Sequence, residues 1–232
     1  MKQWIEHHKR ILQKAASALL AFVVGASLVF MIHPVKTLPK DRLLSLSQMK
    51  ENSQRFVASS SKDPDLENLL SLELARGEGK TQKNGVTLSA FVKKFGKAAS
   101  FTQEDTSFGA QVQLGYGTPV KGIYPYKIEF HEQDGVFYLS AVQGFVPHSS
   151  LYKKKKDLKL ADFTGYQTLD GKKEKGTMVE EVLKKSGLPN SLSLTRTQDK
   201  HLLALSYQVT DGLVSLTFER DQSGQYRLSK KG

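Results

Sequence analysis

Two stretches of this chain read alike, and together they constrain the fold more than any other feature. Residues 85–96 are GVTLSAFVKKFG and residues 176–187 are GTMVEEVLKKSG. Displaced by 91 positions, the flanking glycines coincide, and so do the pairs Lys93-Lys94 and Lys184-Lys185. In the first stretch Leu88, Phe91, Val92 and Phe95 fall at i, i+3, i+4 and i+7. In the second, Val179, Val182 and Leu183 fill the first three of these places and Ser186 the fourth. Each is a short amphipathic helix with one apolar stripe. The closing glycine sits where a helix C-terminus favours positive φ.

The likeness continues downstream. Gln113-Leu114-Gly115-Tyr116 aligns with Ala204-Leu205-Ser206-Tyr207 at the same offset. Tyr126, Ile128 and Phe130 align with Val214, Leu216 and Phe218, and Leu139-Ser140 with Leu228-Ser229. These segments alternate apolar and polar residues, as half-buried strands do. Asp134-Gly135, Asp211-Gly212 and Ser223-Gly224 mark turns between them. The expected fold class is α+β: two tandem repeats over 85–150 and 151–232, each a helix followed by three or four antiparallel strands. One short helix over a small sheet buries little, so the copies are expected to share a core. Helices on one face of such a sheet leave the other face open to solvent or to a partner.

The pattern resembles the tandem modules of β-lactamase-inhibitory-protein-like proteins. It rests on Gly176, the helix after it, the exit Gly187-Leu188-Pro189 and the preceding Leu160-Ala161-Asp162-Phe163, which is similar to the lead-in of Gram-positive secreted modules. The first copy departs, with Gly96-Lys97-Ala98 and no proline. Over residues 70–230 the resemblance implies an extracytoplasmic binding module whose concave sheet grips another protein. Disulfides found in some relatives cannot be carried over, because the chain has no cysteine. No contact motif is visible that would transfer an inhibitory residue.

Ahead of the repeats, residues 15–32 (AASALLAFVVGASLVFMI) carry no charge. At about 1.5 Å per residue such a helix is roughly 27 Å long, close to the hydrocarbon thickness of a bilayer. Lys2, Lys9, Arg10, Lys14 and Trp4 flank it, as interfacial and cytoplasmic anchors do. An uncleaved signal anchor is the favoured reading. A cleaved signal peptide with Val24-Gly25-Ala26 at its end would leave a sticky apolar start. A buried helix would lack a solvated face, since Ser17 and Ser27 are its polar side chains. The expected order is a cytoplasmic flank over 1–14, a transmembrane helix over 15–32, and a helical stalk with a lead-in helix over 33–84. Asp63-Pro64 opens that last helix and Leu66, Leu69, Leu70, Leu72 and Leu74 follow. A partly disordered linker is the alternative for 36–64. The rest of the chain is expected outside the cell membrane.

Signals of catalysis are weak. Without cysteine, thiolate zinc sites and cysteine nucleophiles are excluded. No histidine lies in a metal-ligand motif, and His131 and His201 are expected near strand ends in solvent. Gly115-Tyr116-Gly117 is too short for a phosphate loop, and no serine lies in a nucleophile elbow. Glu180-Glu181 are expected on an exposed helix face and Glu104-Asp105 in a turn. No enzyme activity, cofactor or metal is expected.

Two binding features remain. Tyr124, Tyr126, Phe137 and Tyr138 form an aromatic concentration suited to a protein partner, although strand alternation sends about half of such rings into the core. Pro125 makes residues 122–126 an edge or bulge. Lys153, Lys154, Lys155 and Lys156 give an anionic-surface candidate between the copies, opposed by Asp157, in a chain of net charge +11. Nucleic acid is a poor partner for a domain outside the cell. The expected function is a membrane-tethered extracytoplasmic protein-binding module that scaffolds or regulates an envelope assembly. Its partner is another envelope or secreted protein. An inhibitor or immunity protein against a secreted enzyme or toxin is the alternative.

Overall fold

A computed structural model of the chain describes residues 51, 53–75, 85–106, 109–133, 136–145, 147–169, 176–197 and 200–232. These belong to the compact unit Lys40–Gly232. Its frame is one antiparallel sheet in which each strand is bonded to the next in sequence. The strands are β1 (Ser100–Thr106), β2 (Gly109–Tyr116), β3 (Tyr126–Gln133), β4 (Val136–Phe145), β5 (Ser191–Thr197), β6 (Lys200–Val209), β7 (Gly212–Arg220) and β8 (Tyr226–Lys231). Helices precede them or intervene, among them α1 (Leu66–Leu70), α2 (Leu88–Phe95) and α3 (Val179–Ser186). The order helix, four strands thus occurs twice. The two sets are joined edge to edge through β4 and β5, with Val142 opposite Leu194 and Phe145 opposite Ser191.

Period-two alternation decides what each face carries. The row Phe101, Leu114, Ile128, Val142, Leu194, Leu203, Phe218, Leu228 crosses all eight strands by direct pairing. All but the half-buried Phe101 are in the buried core. Against this face α2 sets Leu88 and Phe91, and the Phe91 ring meets Tyr116 and Phe130 at 5.8 and 5.5 Å. α3 buries Val179, Val182, Leu183 and Ser186.

Both helices stop by the same device. The glycine after each has φ of 84° or 73° with extended ψ, a region that a Cβ atom disfavours strongly. The Tyr116 hydroxyl donates to the Gly96 carbonyl at 2.8 Å, and the Tyr207 hydroxyl to the Gly187 carbonyl at 3.1 Å. Each half also carries one register shift, at Glu129/Phe130 and at Thr217/Phe218. There a serine hydroxyl (Ser140, Ser229) donates to the carbonyl across the ladder at 3.0 Å.

The segment expected as a stalk is different where it is described. Phe56, Leu66, Leu69, Leu72 and Leu74 belong to the same core as the sheet. The Ala75 amide donates to Leu139 at 2.7 Å and the Val86 amide to Glu73 at 2.9 Å. In the second half Leu169 donates to Leu228 at 2.8 Å and Thr177 to Gln167 at 2.9 Å. Each half therefore begins with a lead-in that closes its core: residues 53–75, ahead of residue 85, in the first half, and residues 158–169, inside 151–232, in the second. The physical reason is area: an eight-residue helix cannot cover four strands, and the extra leucines and aromatics finish the cover. Among the described residues no helix is long and apolar enough to cross a membrane. The expected span at 15–32, its flank at 1–14, and residues 33–50, 52 and 76–84 of the expected stalk lie outside the described residues.

Candidate functional site

The face away from the helices is the candidate binding surface. Beside the apolar row runs Ser100, Gly115, Lys127, Gln143, Ser193, Ala204, Thr217 and Lys230, again one residue per strand. These side chains are small or polar, and from Lys127 to Thr217 they are half-buried by their neighbours. Lys127 pairs with Glu129 at 2.9 Å, and Lys200 with Glu219 at 2.8 Å. The helices and lead-ins all pack on the opposite side, so this face is where another molecule can lie without dismantling the core.

One end of the face carries a projection. Val120 and Ile123 exchange backbone hydrogen bonds of 2.9 and 3.0 Å around Lys121 and Gly122. Positive φ values of 51° and 81° make this a two-residue mirror-image turn. Its apolar tips are 69% and 64% exposed. The loop is held at its base: the Gly117 amide donates to the Ser61 hydroxyl at 2.9 Å, and the Phe145 amide to the Pro125 carbonyl at 2.7 Å. Tyr124 lies against Gly115, where an added Cβ would come within 2.6 Å of its ring. Phe145, 48% exposed, continues the apolar patch. The corresponding link between β6 and β7 is only Thr210 and Asp211.

The four aromatic candidates separate. Tyr138 is half-buried on the uncovered face, opposite His131, and Tyr124 is half-buried at its end. Tyr126 is wholly buried in the core, where its hydroxyl accepts from the His148 amide at 2.7 Å. Burial pushes that hydroxyl up to about 12. It cannot meet a partner in this fold. Phe137, one residue from Tyr138, falls on the helix side and packs against the core. Residues 122–125 form the projecting turn rather than strand, and β3 begins only after Pro125, whose missing N–H would interrupt a ladder.

Other expectations also shift. Glu104 and Asp105 lie within β1, not in a turn. His201 is buried rather than solvated, and His131 is half-buried. Burial lowers the pKa of His131, against a smaller raising effect of Glu129. Glu181 is exposed on α3, whereas Glu180 is half-buried. Sequence reasoning had no access to one cluster. Arg220 donates to Glu73, His201 lies 3.7 Å from the same carboxylate, and Arg196 donates to His201 and reaches the Leu74 carbonyl at 3.5 Å. It ties the first lead-in to β5, β6 and β7, and its members are too far apart in the chain to leave a local signal.

Lys153, Lys154, Lys155 and Lys156 are all exposed. Their backbone is anchored, because Lys154 bridges to Gly187 and the Leu188 amide donates to Lys153 at 3.1 Å. Among the described residues no group of three or more His, Asp or Glu side chains could hold a metal ion.

No protein-family model matches this chain. No curated protein matches it either. Among solved structures, it is similar to a candidate beta-lactamase inhibitor protein from Streptococcus mutans, at 14% identity and a TM-score of 0.44. That similarity covers 75% of this chain and 97% of the other.

Proposed function

We propose that this chain is a non-enzymatic protein-binding module, tethered to the cell membrane by residues 15–32 and displayed outside it, where it scaffolds or regulates an envelope protein assembly. The observation that carries the binding role is the uncovered face of the continuous sheet, with the anchored turn at Val120–Ile123 projecting beside it. A rigid sheet loses little conformational entropy when a partner lies on it. The exposed Ile123 and Phe145 and the half-buried Tyr124 offer apolar and aromatic contacts of the kind that dominate interface energetics. The tether rests on the charge-free sequence and its basic flank, and the extracytoplasmic placement on that flank's excess of Lys and Arg.

The projecting turn favours a second reading, an inhibitor of a secreted enzyme. A two-residue turn with two bare aliphatic tips is narrow and stiff, a shape that suits insertion into a cleft. The two readings part on partner number: a scaffold retains several proteins and an inhibitor one.

The test is crosslinking in intact membranes followed by capture of the full-length chain. Parallel samples carry Ala204→Arg with Ser193→Arg on the face, or Val120→Asp with Ile123→Asp on the turn. The reading requires captured proteins to be lost from at least one of these variants while both fold normally by circular dichroism. Capture unchanged in both removes the face and the turn as the binding surface. Protease accessibility of residues 85–232 in intact cells tests the placement, and full protection would refute it.

A further inference from the structure

We propose that the basic end of α3 is a docking surface for an anionic bilayer, with phosphate-bearing lipid headgroups as its ligand. This inference does not depend on what the uncovered face binds.

The run Lys153–Lys156 is not a loose linker. Its backbone bridges to Gly187, which ends α3. The fit is close enough that a Cβ on Gly187 would lie 2.3 Å from the Lys153 carbonyl oxygen. The Lys155 ammonium donates to the Lys185 carbonyl at 2.6 Å, capping the negative end of the helix. This attachment brings Lys184 and Lys185 beside the run. Lys153, Lys154, Lys155, Lys156, Lys184 and Lys185 are thus gathered by the backbone at one exposed end of α3, with the Lys185 ammonium 5.2 Å from the Tyr166 ring centroid. Among the described residues none of them is in a salt bridge. The acids of α3, Glu180 and Glu181, lie in its first turn, at the other end from Lys184 and Lys185. Crowded like charges repel, and an opposing layer of phosphates relieves that repulsion without any rearrangement of the backbone.

The neighbours of the run choose the occupant. Leu151, two residues ahead, is 70% exposed, and Leu160, four residues after, is 43% exposed. A soluble polyanion has no use for bare leucines. A headgroup layer does, because aliphatic side chains enter its acyl boundary while adjacent lysines hold the phosphates.

The absence of cysteine makes a direct test simple. Ser150→Cys, exposed beside Leu151, takes a single environment-sensitive fluorophore. The labelled full-length chain is reconstituted with phosphatidylcholine vesicles, or with vesicles that also contain phosphatidylglycerol. Both carry a quencher on a fraction of the headgroups. The expected result is quenching that needs phosphatidylglycerol and fades as salt is raised. Changing Lys153, Lys154, Lys155 and Lys156 together to Gln should lower the docked-to-undocked ratio roughly a hundredfold or more. Lys156→Glu with Lys184→Glu, exposed positions whose side chains make no hydrogen bond among the described residues, repeats the test should the fourfold variant unfold. Equal quenching on both lipids, or quenching that survives these changes, overturns the proposal. A fluorescence response to soluble polyphosphate on neutral vesicles, with none to phosphatidylglycerol, would assign a soluble polyanion and overturn the bilayer as ligand.

Discussion

The half built on β1–β4 and the half built on β5–β8 stop their helices in the same way and kink their sheets in the same way, yet they fill their cores differently. In the first half the aromatic bulk sits on the helix, where Phe91 stacks on Phe95 at 4.4 Å and meets Tyr116 and Phe130. In the second half α3 offers Val182, Leu183 and Ser186. The rings come instead from the lead-in, with Phe163 5.0 Å from Tyr207 and the Tyr166 hydroxyl bonded to Ser186 at 2.7 Å. Volume is supplied in both halves but by different segments. What is kept is backbone geometry, because a helix stop or a register shift has few solutions. Side-chain packing has many. The remaining difference, the projecting turn at 117–125, exists in one half and adds nothing to the core. That is why the proposed binding role turns to it.

Removing core volume at matched positions is the strongest way to test whether the halves are one cooperative body. Leu114→Ala and Leu205→Ala, both fully buried, should each cost about 2–5 kcal/mol in denaturant unfolding. Because the apolar row is unbroken from β1 to β8, each should shift a single transition. Two transitions, with only one displaced, would show that the halves unfold separately.

The helix-stop glycines should then part company. Both have positive φ, so alanine costs roughly 1–3 kcal/mol at either site. Gly96 has open space around it, whereas a Cβ on Gly187 strikes the Lys153 carbonyl. Gly187→Ala should therefore exceed Gly96→Ala by about 1–3 kcal/mol, the usual cost of overpacking. Equal losses would mean that the Lys153 segment yields freely. Next in size, Tyr116→Phe and Tyr207→Phe each remove one hydrogen bond to a helix-stop carbonyl. Each should lose about 1 kcal/mol in chemical denaturation, and a clear inequality would show that the two stops are not equivalent.

Acid should distinguish the halves by position. His131 has its pKa lowered by burial, so the folded state holds its proton less well than the unfolded chain does. Its stabilising effect is full above the unfolded value near pH 6.5 and is lost as pH falls below it. Asp221 behaves in the second half as a depressed acid. The Ser223 hydroxyl, then Arg227 and the Gln225 and Ser223 amides, hold its pKa well below the carboxylate range. That stability is present above about pH 4 and lost below it. His131→Gln should flatten the melting-temperature profile between pH 6.5 and 5, and Asp221→Asn the profile below 4. A His131→Gln profile that parallels wild type would refute the first assignment. On stability the smallest effect is expected from Val120→Asp and Ile123→Asp, within about 0.5 kcal/mol, which is why they are clean probes of binding.

Much of this architecture could be read from local pattern. The stripes of α2 and α3, their closing glycines and the paired Leu114/Leu205 positions depend on spacing alone. The division of Phe137 from Tyr138 could not be assigned, because neighbouring residues face opposite ways and the ladder register decides which ring is buried. The burial of Leu66 to Leu74 was equally hidden. Leucines at helical spacing suit a stalk as well as a lid, and the distinction lies in contacts with β4 and β7 far along the chain. Of the candidate site, the lysine run was plain from composition, but its fixed attachment to Gly187 and Lys185 was not.

The lead-in has a mechanical consequence. Residues 53–75 are not hung on one edge of the sheet. They are bonded at Ala98, at His148 and at Leu139, and through Glu73 at Arg220. Tension applied to the chain ahead of residue 53 would therefore be shared between both halves, loading many bonds at once instead of unzipping them singly. A domain threaded this way resists extraction from its N-terminal side more than its small helices alone would allow.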